Sequence, residues 1–246
     1  MTLTKRPPVA DDRLAGRSDL IALRSVSKTY TTGDVSFTAL DGVDLSVGTG
    51  EFVGVVGPSG SGKSTLLNVI AGIDRPSDGR VVVGGVEVSA LSENDAARWR
   101  GRTLGVVFQF FQLLPTLSLV DNVMLPMDFC GVHARRDRPK VARDLLARVG
   151  LADHADKLPA EVSGGQQQRA AIARALANDA PIILADEPTG NLDSESAASM
   201  MDLFDDLVGN GRTILLVTHD RDLARRTRRT VLVKDGAVTT RTPVAA

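Results

Sequence analysis

The chain has 246 residues, with 29 Lys or Arg against 30 Asp or Glu and a net charge of −1. That balance leaves no electrostatic footprint for nucleic acid or an acidic partner, and Cys130, the one cysteine, excludes an internal disulfide. No apolar run approaches the roughly 18 residues of a spanning helix, and the length suffices for one large core or a core with a subdomain.

Residues 1–18 carry Lys5, Arg6, Pro7, Pro8, Asp11, Asp12 and Arg13 without an apolar segment of signal-peptide type. They read as a disordered leader, and a single folded domain is expected over 19–242. Residues 20–26 and 37–47 read as strands, with Asp41-Gly42 and Gly48-Thr49-Gly50 as turn material. An apolar strand over 52–56 leads into a glycine-rich loop and a helix over about 63–73. Residues 75–79 break the pattern. A short β pair follows over 80–83 and 86–88 around Gly84-Gly85, then a strand over 104–108. From about 110 to 177 the pattern is helical, over 120–130, 138–149 and 166–177. Strand signals return at 182–185, 213–217 and 230–233, with a helix over 194–208. Asp235-Gly236 reads as a hairpin turn. The expected fold class is α/β, a P-loop core with an antiparallel N-terminal β layer and a helical subdomain. No internal repeat or heptad is visible.

The glycine loop is Gly57, Pro58, Ser59, Gly60, Ser61, Gly62, Lys63, Ser64 and Thr65. It matches G-x-x-x-x-G-K-[ST] between a strand and a helix, the phosphate-binding P-loop. Its N–H groups and the helix start form a site for polyanionic phosphates. Lys63 would bridge the β- and γ-phosphates, and the Ser64 hydroxyl would ligate Mg²⁺.

The strand over 182–185 runs into two carboxylates, Asp186 and Glu187. In P-loop ATPases a strand beside the P-loop strand ends in an Asp that holds Mg²⁺, and Asp186 suits that place. Glu187, one residue on, would point elsewhere and polarise the attacking water. Farther back, Ser163, Gly164, Gly165 and Gln166 open a helix, giving a second anion-binding helix N-terminus with a serine cap. One nucleotide does not need two such sites from one chain. Two facing chains, each completing the other's pocket, would use both.

With these motifs the chain resembles the ATP-binding subunit of an ABC (ATP-binding cassette) transporter, over about residues 20–240. Residues 163–168 are similar to the family signature, with Val162 where Leu is commoner. The resemblance implies that Tyr30 stacks on adenine. It implies that Gln109 reaches Mg²⁺ and the attacking water, and that His219 contacts the γ-phosphate. Asn191, Leu192 and Asp193 resemble the loop through which two subunits touch, and Asp193 joins Ser163, Gly164, Gly165 and Gln166 as a contact to ATP in trans. His133 and His154 lack such context and read as ordinary surface residues.

Phe108 to Leu117, Asp121-Asn122-Val123 and Pro126 resemble the branch that serves lipoprotein-release and macrolide-export systems, with the cell-division ATPase FtsE as a neighbour. Asp121 stands where that branch usually has Glu. The resemblance implies an ATP-dependent homodimer, ATP and Mg²⁺ as cofactors, and a separate membrane permease that holds the protein on the cytoplasmic face of the membrane. Three of the seven phenylalanines flank Gln109. Phe110, Phe111 and Leu113 are either subdomain core or a docking surface for a permease helix. The basic run over 221–229 reads as a solvated face. An FtsE-like ATPase without a transported substrate is an alternative. An ABC protein acting on DNA or ribosomes is disfavoured, because the Lys63–Asp186 interval holds no coiled coil or zinc insertion and there is one cassette.

Overall fold

A computed structural model describes residues 19–190 and 192–241; the leader, Asn191 and the end of the expected domain lie outside the described residues. The chain opens with a long hairpin, β1 (Asp19–Thr32) and β2 (Val35–Gly48). Then come β3 (Phe52–Val56), α1 (Lys63–Ile70), β4 (Asp78–Val83), β5 (Val86–Glu87), α2 (Glu93–Thr103) and β6 (Leu104–Val107). Three helices follow, α3 (Leu119–Cys130), α4 (Arg138–Arg148) and α5 (Gly164–Ala175). The rest is β7 (Ile182–Asp186), α6 (Ser194–Gly209), β8 (Thr213–Val217), α7 (Arg221–Arg225), β9 (Arg229–Lys234) and β10 (Ala237–Arg241).

Two sheets form. An antiparallel sheet has the order β2-β1-β4-β5, and a six-stranded sheet the order β10-β9-β3-β8-β7-β6, parallel except for β10. The strand order corrects one expectation. β7, which ends in Asp186, is not beside the P-loop strand β3, because β8 is inserted between them. Asp41-Gly42 is also not a turn. The register moves from Val26↔Val43 to Lys28↔Leu40, so β2 carries an extra residue there and bulges. The left-handed Gly42 (φ 56°) accommodates it.

The parallel strands are buried on both faces, so alternate residues enter different cores. Ile183, Ala185, Ile214 and Leu216 pack with α3–α6 through Leu119, Met127, Leu146, Ile172 and Phe204. Ile182, Leu184, Leu215 and Val217 pack with α1 and the N-terminal sheet through Leu66, Ile70, Ile21 and Leu23. The Phe52 and Phe204 rings meet edge to face, centroids 6.4 Å apart. Truncating the fully buried Phe204 to Ala would cost about 3–5 kcal/mol. α2, for which the sequence gives no expectation, is polar, and Ala96 is its one buried residue. It is started by Ser92, whose Oγ accepts from the Asp95 N–H at 3.2 Å.

Candidate active site

The P-loop connects the end of β3 to α1. Gly62 caps α1 in the left-handed region (φ 106°, ψ 6°). A Cβ there would lie 2.3 Å from the Ala39 carbonyl oxygen, so both backbone shape and space demand glycine. Lys63 is 7% exposed, and its Nζ donates to the carbonyls of Gly57 (3.0 Å) and Pro58 (2.8 Å). Its ammonium thus sits across the loop, over the mouth of the backbone cradle. Buried Ser61 Oγ has no hydrogen-bond partner.

A cleft of about 410 Å³ opens over this loop. Ser59, Gly60, Gly62, Lys63, Ser64 and Thr65 of the loop line it together with Gln109, Asp186 and Glu187. The ends of β3, β6 and β7 therefore bring P-loop, glutamine and both carboxylates to one place. Burial raises the Asp186 carboxyl above its usual range, the nearby Glu187 charge adds to this, and the Ser64 hydrogen bond and the Lys63 charge oppose it. Glu187 has a left-handed backbone (φ 45°), rare for a residue with a side chain. Its N–H donates to Val217 O at 3.0 Å, tying the end of β7 to β8. His219, just past β8, places Nδ1 3.3 Å from Glu187 Oε2. A Cβ on Gly190 would meet Gln109 Nε2 at 3.1 Å, so the turn after Glu187 packs close to that amide.

Tyr30 lies on β1 and is directly paired with Phe37 of β2. Phe37 lines the cleft together with Ala39, and the sequence reading did not single it out. The Tyr30 hydroxyl donates to Asp74 Oδ2 at 2.5 Å, and Lys28 Nζ lies 4.8 Å from its ring centroid. Burial, then the Asp74 bond, raises the phenol above its ordinary value. Burial also acts to raise the Asp74 carboxyl, but the bonds from Lys28 and Tyr30 outweigh it and hold the group low.

The second cluster stands apart. Ser163 Oγ accepts from the Gln166 N–H (3.3 Å) and Gln166 Oε1 accepts from the Ser163 N–H (2.8 Å), a reciprocal capping box at the start of α5. Asp193 caps α6 through the Ser196 N–H and hydroxyl. The two helix starts meet where a Cβ on Gly165 would come 3.1 Å from Ser196 Oγ. Ser163, Gly164, Gly165, Gln166 and Asp193 are absent from the lining of the P-loop cleft.

The loop after β6 is held by Arg174 of α5, which no local signal revealed. Its guanidinium donates to the carbonyls of Phe111 (2.7 Å) and Gln112 (2.5 Å), both left-handed at φ 54°. Leu113 packs against the core, Phe111 is half-buried, and Phe110 is 70% exposed. Beside this loop an apolar groove of about 500 Å³ is lined by Ile73, Leu104, Phe108, Leu125, Phe129 and Cys130, among others. Phe129 is 82% exposed. The basic run is largely paired: Arg225 with Asp222, Arg226 with Asp202 and Asp205, Arg229 with Glu51. The other two histidines are engaged, contrary to expectation. His133 Nε2 donates to Ala177 O at 3.1 Å, and His154 meets Gln166.

Residues 40–190 match the family described as ABC transporter. The chain belongs to the ABC transporter family. Its cassette is 47% identical over 219 residues to the macrolide export ATP-binding/permease protein MacB of Hyphomonas neptunium, covering 89% of this chain and 34% of that protein. It is 45% identical to the ABC transporter ATP-binding protein YknY of Bacillus subtilis, covering 89% of this chain and 95% of YknY. It is 46% identical to the pyoverdine export ATP-binding/permease protein PvdT of Pseudomonas syringae, covering 90% of this chain and 34% of PvdT. The chain therefore spans about a third of the length of the two export relatives and nearly all of YknY. Two dimeric structures of the ATP-binding cassette MJ0796 match with TM-score 0.85 over 92% of this chain, at 41% and 42% identity; one is described as a post-hydrolysis state bound to ADP and Pi. The ABC cassette is an ATPase. No helix among the described residues is long and apolar enough to cross a membrane.

The donor set suits a hard cation shared with a phosphate. Ser64, Asp186 and Gln109 all line the cleft with oxygen donors. Among the described residues no group of three or more His, Cys, Asp or Glu could hold a metal alone. Phosphate oxygens and water would have to complete the shell, as Mg²⁺ in nucleotide sites requires.

Proposed function

We propose that the protein hydrolyses ATP in two composite pockets of a head-to-tail homodimer, and that dimer closure and opening drives a separate membrane permease of the exporter or lipid- and lipoprotein-extracting type. The unit acting in this way is residues 19–242, with 110–177 as its helical subdomain. The carrying observation is the separation of the two clusters. Ser163, Gly164, Gly165, Gln166 and Asp193 present a capped helix start and a carboxylate away from their own chain's cleft. A second copy turned head to tail would set them against the triphosphate held by the first.

Within each pocket, Tyr30 packs on the adenine and the P-loop N–H groups donate to the phosphate oxygens. Lys63 leaves the Gly57 and Pro58 carbonyls for the β- and γ-phosphate oxygens. Ser64, Asp186 and Gln109 would hold Mg²⁺, which would supply neutralisation of the phosphate charge. Glu187 takes a proton from the attacking water, and His219, whose Nδ1 faces that carboxylate, contacts the γ-phosphate. Because the γ-phosphate is the part touched by both chains, closure follows ATP binding and opening follows its loss.

The permease would dock on the loop carrying Phe110, Phe111 and Leu113 and on the adjoining apolar groove, placing the protein on the cytoplasmic face of the membrane. Phe108 lines that groove and Gln109, the next residue, lines the cleft, so one short segment touches both. An amphipathic permease helix is the matching partner.

Mixing two inactive variants tests the composite pocket. Lys63→Ala and Ser163→Arg should each be inactive alone. Their mixture should recover part of the ATPase activity, through heterodimers with one intact pocket. If heterodimers form and no activity returns at any ratio, the composite pocket is wrong.

A further inference from the structure

His154 sits at the end of a short 3-10 turn (Ala152–His154) with its Nε2 3.2 Å from Gln166 Nε2. Two nitrogens at that distance require one donor and one acceptor. The other end of the amide decides which. Gln166 Oε1 accepts from the Ser163 N–H at 2.8 Å, and a flipped amide would oppose its NH₂ to that N–H. Gln166 Nε2 is therefore the donor. His154 Nε2 accepts, and the ring proton lies on Nδ1.

The turn bearing His154 is itself fixed. The His154 N–H donates to Leu151 O (3.1 Å), and the Lys157 N–H donates to His154 O (3.0 Å). The carbonyls of Lys157 and Ala155 accept from the N–H groups of Leu119 (2.9 Å) and Val120 (2.8 Å), the first residues of α3. A continuous set of hydrogen bonds thus runs from the start of α3 through His154 and Gln166 to Ser163. Ser163 Oγ and the α5 N-terminus would otherwise depend on one half-buried glutamine rotor.

We propose that His154 is a positioning residue for the signature end of α5: its neutral imidazole locks the Gln166 amide, so that Ser163 and the α5 N–H groups are set before a partner's ATP arrives. This rests on the composite-pocket reading above. Pre-setting those groups lowers the ordering cost of closure, and has no bearing on ATP binding to the P-loop of the same chain.

The test has two arms. Long-range imidazole ¹H–¹⁵N spectra of the unsubstituted protein should show His154 neutral with its proton on Nδ1; a proton on Nε2 overturns the proposal without any variant. In a Glu187→Gln background, His154→Ala should weaken ATP-dependent dimerisation about fivefold per pocket, the loss of one hydrogen bond. That is on the order of 25-fold for two pockets closing together, with ATP affinity of the monomer unchanged. His154→Gln places Oε1 where Nε2 accepts and should restore dimerisation to within about threefold. Unchanged dimerisation of His154→Ala, or failure of His154→Gln to rescue it, overturns the proposal. Ser163→Arg separates the two levels. If it leaves dimerisation intact, the composite pocket fails. If it abolishes dimers while His154→Ala does not, His154 alone has been misassigned.

Discussion

His219 Nδ1 lies 3.3 Å from Glu187 Oε2, joining the residue after β7 to the loop after β8. The same region also fixes the backbone, because the Glu187 N–H donates to the Val217 carbonyl at the end of β8. Its left-handed backbone turns the side chain off the line of the strand that aims Asp186. Adjacent carboxylates thereby reach different places, one at Ser64 and one at His219.

Glu187→Gln keeps size and hydrogen bonding but loses basicity. Steady-state ATP turnover should fall at least on the order of a hundredfold, while nucleotide affinity is retained. Near-normal phosphate release by the variant would remove Glu187 as the base.

Asp186→Asn should separate stability from function. The folded-state pKa of Asp186 is raised, burial being the main cause. The contribution of such a group to stability is fully present below its unfolded pKa and is lost as pH rises through the folded one. At neutral pH the ionised carboxylate is a cost. Removing the charge should raise the Tm of the nucleotide-free protein at neutral pH. The gain should shrink on acidification, and Mg²⁺-dependent hydrolysis should be lost. A lower Tm in scanning calorimetry at neutral pH would contradict this.

Phe110→Ser and Phe129→Ser alter exposed rings outside the catalytic cleft. Each should leave the melting temperature within about 2 °C and the basal ATPase of the isolated protein within about twofold, since surface substitutions usually change stability by less than about 0.5 kcal/mol. Permease-stimulated turnover and recovery in the membrane fraction should drop severalfold. Normal stimulation in the folded double variant would move the docking surface elsewhere.

The chemistry-bearing segments were legible because each is local. The P-loop, the Asp186-Glu187 pair and the residues around Ser163 carry their meaning within about ten positions. The position of β8 between β3 and β7 was not, because sheet order depends on which strand cores pack together. Asp41-Gly42 has the composition of a turn, yet both flanks of β2 pair with β1, so the extra residue became a bulge. α2 lacks an apolar stripe, and its cap, Ser92 with Asp95, was the one local sign of it. Arg174, Asp74 and His154 act across 62, 44 and 12 residues of sequence on Gln112, Tyr30 and Gln166, distances over which no pattern of spacing reports.

The central claim is that two chains share each ATP. Light scattering during size exclusion of Glu187→Gln measures it directly, with ATP, with ADP and without nucleotide. The expected result is a dimer with ATP and a monomer in the other two conditions. ATP-dependent dimers should vanish when Ser163→Arg is added. A monomer under saturating ATP, or a dimer indifferent to Ser163→Arg, would contradict the claim.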